Sequence, residues 1–386
     1  MKKIVTALFV CCFFSSFAQN TTADYFYVRT KDSLPFLKYG LGEDRLGGAK
    51  MGFLDSNVLL KVVDSFERNY KVQLSDLHSA YVEKRHVERI APVKEKQHLT
   101  QSWSVYGDSA YDYVTIQLDE KLPYKSVQEI DPSRIVVDIF GATSNTNWIT
   151  QLSSVEEIKN AWYEQPEDDV MRVIIELKHP QHWGYKIYYS GNRLTVMVKR
   201  QPQKLKLRYL TIAVDAGHGG DQAGATGVSS NIKEKDYTLL MAKELQKALI
   251  KKKAHVLMTR ETDTTLSMFE RISYLNKYQP DLLISIHLNS SSSQKTSGVS
   301  TYYRYIGFRP LSQAILKNMR QLDLKEFGNV GSFNFSLSGP TEYPNCLVEV
   351  AFLSNKEDEE KILDPKFRKQ VAKKIIAGIE DFLKNL

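Results

Sequence analysis

Apolar and polar positions change rhythm twice along this chain. From Tyr25 to about Ile90, short alternating runs ("YFYVRT", "NVLLKVVDSF", "NYKVQLS") are broken by glycine-rich turns such as "GLGEDRLGGAKMG". This is the period-2 pattern of half-buried strands and predicts a small barrel. A charged connector, "APVKEKQHLTQS" from Ala91 to Ser102, leads into a second alternating region that reaches Lys199. A weak repeat recurs inside it: "DYVTIQLDEKLPYKSVQEIDPSRIVVDIFG" from Asp112 and "DVMRVIIELKHPQHWGYKIYYSGNRLTVMVKR" from Asp169. Each copy reads strand, Pro-containing bend, strand, polar turn, strand, and two copies of one sheet would pack as a compact sandwich. The segment "RQPQKLKLR", Arg200 to Arg208, has no apolar face and reads as a boundary. Beyond it, strand-like runs ("YLTIAVDAG", "AHVLMTR", "DLLISIHLN", "GVSTYYRY", "CLVEVAF") alternate with helical patterns. That alternation predicts an α/β domain with a mostly parallel sheet flanked by helices, preceded by two all-β domains.

The helical stripes look like core. One runs through Tyr237, Leu240, Met241, Leu245, Ala248 and Leu249; another follows "FERISYLNKY". The last is opened by Asp364 as cap with Pro365 in the first turn, and places Phe367, Val371, Ile375, Ile379 and Leu383 on one face.

The opening residues "MKKIVTALFVCCFFSSFAQN" have another rhythm: two lysines, an apolar run too short for a membrane span, then the small-x-small pattern Ser16-Phe17-Ala18. This is the pattern of a secretory signal over residues 1–18, cleaved after Ala18. Lipid attachment at Cys11 is disfavoured because Val10 is bulkier than the residue expected before a lipidated cysteine. Cleavage removes Cys11 and Cys12 and leaves Cys346 alone, so no intramolecular disulfide can form. No later apolar run is long enough to span a bilayer, and the expectation is a periplasmic or secreted protein with units at 22–92, 101–200 and 208–386. The formal charge of +7 falls by two when Lys2 and Lys3 leave, and the remaining basic residues are scattered. With no helix-turn-helix, finger or basic-aromatic strand motif, nucleic acid is excluded as a partner.

Candidate chemistry concentrates in the last unit. In "TIAVDAGHGGDQAGATG" an apolar run stops at Asp215, and His218 falls in a turn among Gly217, Gly219 and Gly220. A dinucleotide fingerprint would need Gly or Ala where Gln222 stands, and the Gly-Lys-Ser/Thr of a P-loop is absent. His218 is therefore either incidental to a tight turn or placed where small residues let a metal or substrate approach the backbone. His287 ends the apolar run "DLLISIHLN" and Glu349 sits inside "CLVEVAF", both odd places for polar groups. In α/β sheets the strand C-termini form the ligand edge, so the two histidines can meet there. Two imidazoles and a carboxylate suit a catalytic zinc site, and Glu234 in "NIKEKDYTLL" is the best third ligand, although an acid at a helix start also simply complements the dipole. Asn289 and the serine loop after it read first as a solvated loop, with a border of the substrate groove as the alternative.

Three resemblances join these readings. "DRLGGAKMG" with "VLLKVVD" and "YKVQLS" resembles bacterial SH3-like wall-associated domains, and "DPSRIVVDI" with "RVIIELK" and "NRLTVMVK" resembles the AMIN domain, an all-β module that accompanies envelope enzymes and binds peptidoglycan. "VDAGHGG", "KEKDYTLLMAKEL", "VLMTRETD", "DLLISIHLNS" and "LVEVAFLSN", in this order, resemble the zinc-dependent N-acetylmuramoyl-L-alanine amidases of family 3 across roughly Tyr209 to Leu386. That last resemblance implies one zinc ion held by His218, Glu234 and His287, with Glu349 catalytic. It also implies hydrolysis of the amide between the lactyl group of N-acetylmuramic acid and L-alanine in peptidoglycan, in wall remodelling or daughter-cell separation. Ala216 stands where the family often has proline and Ala351 where it often has glycine; neither removes a ligand. The competing readings are a cysteine hydrolase using Cys346 and a noncatalytic wall-binding protein. An activating protein partner is left unspecified. Truncation before Arg200 is expected to weaken wall binding while sparing cleavage of a small fragment.

Overall fold

The computed structural model describes residues 25–32, 34–42 and 46–386. The leader read at 1–18, with its cleavage after Ala18, lies outside the described residues. The first unit is a seven-stranded sheet between Phe26 and Arg89 in which every neighbouring pair is antiparallel. Its inward positions, among them Val28, Leu37, Leu60, Val62, Val72 and Val82, are buried.

Apolar packing spans the boundary between this unit and the next. The core of the first continues without a break into that of the following unit, where Trp103, Val114, Ile135 and Val173 join the same cluster. The connector is also partly ordered, with His98–Leu99 pairing in parallel with Ala142–Thr143.

Residues 103–199 fold as a five-stranded and a four-stranded sheet. The expectation of one sheet per repeat copy is corrected here, because the copies exchange strands. Tyr111–Gln117, the first strand of the first copy, pairs with Arg193–Lys199, the last of the second. Val170–Leu177, the first strand of the second copy, pairs with Ser133–Phe140, the last of the first. Each sheet thus draws on both copies, and alternation alone could not reveal it because it gives a strand a buried face and no partner.

The C-terminal unit is built from β1 (Thr211–Ala216), α1 (Glu234–Lys251), β2 (His255–Met258), α2 (Met268–Tyr278), β3 (Leu282–Asn289), β4 (Val299–Tyr302), α3 (Arg309–Met319), β5 (Glu326–Val330), β6 (Asn345–Phe352), α4 (Lys356–Leu363) and α5 (Pro365–Lys384). The six strands lie in the order β2-β1-β3-β6-β4-β5. β2, β1, β3 and β6 run parallel, and β4 is antiparallel to β6. Pleating sorts the side chains: Ile212, Val214, Leu282, Ile284, Ile286, Cys346 and Val348 pack with α1, α3 and α5, while Ala213 and Leu283 face Ile272 and Leu275 of α2. Asp215, Ser285, His287 and Glu349 share the second face by the same alternation.

On α5 the expected stripe is buried throughout, and Asp364 caps the helix by accepting from the Lys366 amide. On α1 the buried face is rotated from the expected stripe: Thr238 and Ala242 are fully buried while Leu240 is exposed. Polar Thr238 belongs inside because its hydroxyl donates to the Gly217 carbonyl at 2.7 Å. No helix among the described residues is long and apolar enough to cross a membrane.

Residues before the boundary at Arg200 also enter the C-terminal unit. Trp183 lies in its core, 6.0 Å from Phe382 between ring centroids. The Tyr185 amide donates to the Thr341 carbonyl at 2.8 Å, and Gln181 Nε2 donates to the Gly307 carbonyl at 2.7 Å.

Candidate metal and catalytic site

Because β1 and β3 are parallel neighbours, the turn after β1 opens beside the end of β3. His218 occupies that turn with φ of 60°, a left-handed conformation uncommon for a non-glycine residue, and Gly219 and Gly220 follow at 134° and 54°. Two buried guanidinium groups secure the turn. Arg271 of α2 donates to Asp215 Oδ1 at 2.5 Å, to the Ala216 carbonyl at 2.9 Å and to the His218 carbonyl at 2.5 Å. Arg260, after β2, donates to the Ala216 and Gly217 carbonyls, both at 3.0 Å. Two glycines answer to close approach. A Cβ on Gly217 would stand 2.5 Å from the His287 ring, and one on Gly224 would stand 2.5 Å from Glu234 Oε2 and 2.8 Å from the His218 ring.

Glu234, the first residue of α1, is directed to the sheet rather than to solvent. His218 Nε2 lies 3.1 Å from its Oε2, and His287 Nδ1 lies 3.1 Å from its Oε1. The carboxylate also accepts from the amides of Ala225 at 2.8 Å and Leu288 at 3.0 Å. Ligand atoms of His218, Glu234 and His287 all lie within 4.8 Å of one another. Burial opposes ionisation of Glu234, but hydrogen bonds and charge from both histidines hold its carboxyl far below the usual range. Burial likewise pushes His287 down; the hydrogen bond and charge of Glu234, with Glu349 and Asp215, turn the net shift upward. His287 Nε2 is buried without a hydrogen-bond partner. Two imidazoles, a buried carboxylate, an orphan ring nitrogen and glycines that clear the space fit a divalent metal ion.

Glu349 of β6 stands in register with His287 on the neighbouring strand, where its charge reaches the imidazole. A bulge follows at once: the next partners are Asn289 and Phe352, so buried Ala351 lies at the irregularity. Asn289 donates to the Tyr302 hydroxyl at 3.3 Å. Phe335 covers the other side of the site, its ring 5.6 Å from that of His287. Cys346 is on the opposite face of β6, where burial pushes its thiol well up, so it cannot serve as a nucleophile here.

Four residues that sequence reasoning did not single out complete the support. Asp215 is buried against Arg271 and also accepts from Ser285 at 2.6 Å and Thr259 at 2.7 Å. Asp215 and Ser285 carried a signal, being polar within apolar runs. Arg271 carried one too, since it lies on the helical stripe of Met268, Ile272 and Leu275. Arg260 stood in "VLMTRETD" with nothing to separate it from a solvated strand end.

Residues 212–381 match the Amidase_3 family, described as N-acetylmuramoyl-L-alanine amidase, and residues 104–198 match the AMIN domain family. Among curated proteins, the probable cell wall amidase LytH of Staphylococcus saprophyticus is 32% identical over 190 residues, covering 49% of this chain and 64% of that protein. The N-acetylmuramoyl-L-alanine amidase AmiC of Escherichia coli O6:H1 is 26% identical over 368 residues, covering 72% of this chain and 88% of that protein. A solved structure, the catalytic domain of CwlV from Bacillus (Paenibacillus) polymyxa var. colistinus, is 32% identical with a TM-score of 0.44, covering 45% of this chain and 98% of that one. The chain thus spans less than two thirds of the length of that LytH relative.

Proposed function

We propose that this chain is a zinc-dependent peptidoglycan amidase, since residues 212–381 match the N-acetylmuramoyl-L-alanine amidase family and residues 104–198 match the AMIN domain family. The bond it cuts joins the lactyl group of N-acetylmuramic acid to the L-alanine of the stem peptide. The observation that carries this reading is the meeting of His218, Glu234 and His287 within 4.8 Å, with Glu349 in register beside His287.

These residues suit zinc because two nitrogens and one carboxylate oxygen leave a fourth tetrahedral position for water or substrate. When bound, the metal supplies Lewis-acid polarisation of the scissile carbonyl and a water whose pKa is lowered to about 7. Glu349 has the complementary task. A carboxylate oxygen accepts the proton of the attacking water, then delivers it to the departing nitrogen of L-alanine so that the amine leaves neutral. Asp215, Arg260 and Arg271 hold the turn that presents His218.

The N-terminal sheet is read as an SH3-like domain at 22–92, followed by the AMIN-like sandwich at 101–200 and the amidase domain at 208–386. The two β units keep the enzyme at its polymer by raising its effective concentration. The working location is the periplasm or the exterior, after cleavage near Ala18.

The test is elemental analysis and product mass spectrometry on one preparation. About one zinc per chain, in line with a structural or catalytic site, with released peptides that begin at L-alanine, is the expected result. Absence of both would point instead to a noncatalytic wall-binding protein, and zinc with cleavage inside the peptide would overturn the bond while keeping the site.

A further inference from the structure

Between the N-terminal sheet and α2 runs a groove of about 840 Å³. Its apolar lining comes from both units: Phe36 and Phe53 on one side, Met268, Phe269 and Ile272 on the other. Phe269 is 46% exposed although it stands on the first turn of a helix fixed by a complete capping box. A large aromatic side chain held open in this way is a ready contact surface.

The wall on the N-terminal side carries three cations, Lys38, Lys50 and Arg85, against two carboxylates, Glu83 and Asp32. Lys38 and Lys50 place their ammonium groups 5.4 and 5.5 Å from the Phe36 ring centroid. Glu83 serves two cations at once, Lys38 at 2.8 Å and Arg85 at 2.7 Å. Lys50 Nζ donates to the Asn334 carbonyl at 3.4 Å and pairs with no carboxylate among the described residues. Burial, with the charges of Arg304 and Lys38, pushes the Lys50 ammonium down to about 8. A carboxylate brought to this wall would relieve that crowding. Both ring nitrogens of His86, on the same wall, are shielded from water and have no hydrogen-bond partner.

The same elements border the groove and the metal site. Met268, Phe269 and Ile272 of α2 face the groove while Arg271 holds the His218 carbonyl. Ser336 lines the groove while Phe335, its neighbour, packs on His287.

We propose that this groove is a subsite for an acidic peptide: it receives the stem that continues from the scissile amide, with a carboxylate at Lys50 and apolar parts against Phe36, Phe53 and Phe269. The proposal rests on the amidase reading. It makes the N-terminal unit part of the substrate site rather than a detached tether.

The test compares the full mature chain with Lys50→Gln and Phe269→Ser; the second position is exposed, so its replacement leaves the core intact. Calorimetry with a synthetic L-alanyl-γ-D-glutamyl-lysine tripeptide requires no turnover. Both variants are expected to bind it about tenfold more weakly, and amidation of its carboxylates should remove the difference between wild type and Lys50→Gln. In hydrolysis, KM for the N-acetylmuramoyl tripeptide should rise about tenfold with kcat held within about twofold, while N-acetylmuramoyl-L-alanine, lacking the acidic residue, is cut equally by all three proteins. Equal tripeptide affinity across the three, or a loss shared by N-acetylmuramoyl-L-alanine, overturns the subsite. Carboxylate-dependent tripeptide binding without any hydrolysis would remove the amidase reading and retain the groove.

Discussion

At Arg271 a single side chain decides whether the His218 turn keeps its shape, since its guanidinium joins Asp215 to the carbonyls of Ala216 and His218. Replacing it with Met leaves Asp215 buried without its partner. Arg271→Met should therefore lose about 3–5 kcal/mol in urea denaturation, and Arg271→Lys should recover only part of it because an ammonium cannot reproduce the fork. A loss under about 1 kcal/mol, the scale of an exposed pair, would show that the turn does not depend on this residue. Gly217→Ala tests the same neighbourhood sterically. A methyl group would collide with the His287 ring, so zinc affinity measured by chelator competition should fall at least about tenfold, one tenth being ~1.4 kcal/mol, with the circular dichroism spectrum unchanged. Glu349→Gln should retain zinc and lose activity by about 10²–10⁴-fold, the range for a lost general base. His287 and Glu349 were legible in the sequence because each is a polar group in an apolar run, where an uncompensated one is costly, and His218 because it stands in a glycine turn just after such a run. Arg271 was harder to see, since an arginine that follows a glutamate on a helix resembles an ordinary solvated residue until its stripe is traced.

The sandwich's elements carry their own prediction. Asp138 is buried on an inner strand of the four-stranded sheet and stands directly opposite Lys125 on one neighbour and Arg172 on the other. Arg172 meets it at 2.7 Å and Lys125 at 3.3 Å. Burial favours the neutral acid, but these two cations hold its carboxyl below the usual range. With the folded pKa depressed, the stabilisation is complete above the unfolded value of about 3.9 and is lost as pH falls through the folded value. The urea midpoint of the wild type should therefore fall more steeply than that of Asp138→Asn between about pH 5 and pH 2, and the two should converge at the acid end. Identical acid limbs would show that the charged ladder contributes nothing to stability. Strands and turns of this region were legible from alternation and its breaks. Their partners were not, because the pairing of Tyr111–Gln117 with Arg193–Lys199 depends on backbone groups that every residue shares.

For the whole molecule, Trp183 matters most to how the units can be separated. It comes before the sequence boundary yet fills the C-terminal core beside Phe382. Truncation before Arg200 would remove it, so the simple expectation of an unimpaired catalytic fragment needs revision. Trp183→Ala should cost about 3–5 kcal/mol and lower the melting temperature of the C-terminal unit in scanning calorimetry; an unchanged transition would mean that the units are stable independently. The tryptophan sits in "HPQHWGYK", which reads as a loop, and only a partner supplied by another unit makes it core. The strand exchange in the sandwich finally sets a timetable for the chain. Tyr111–Gln117 can pair at once with Trp103–Gly107, but its other edge waits for Arg193–Lys199, so a chain delivered from its N-terminus carries an unfinished sheet until nearly the whole β portion has emerged. The last strand to arrive closes the sandwich, and the catalytic unit begins only after that closing strand.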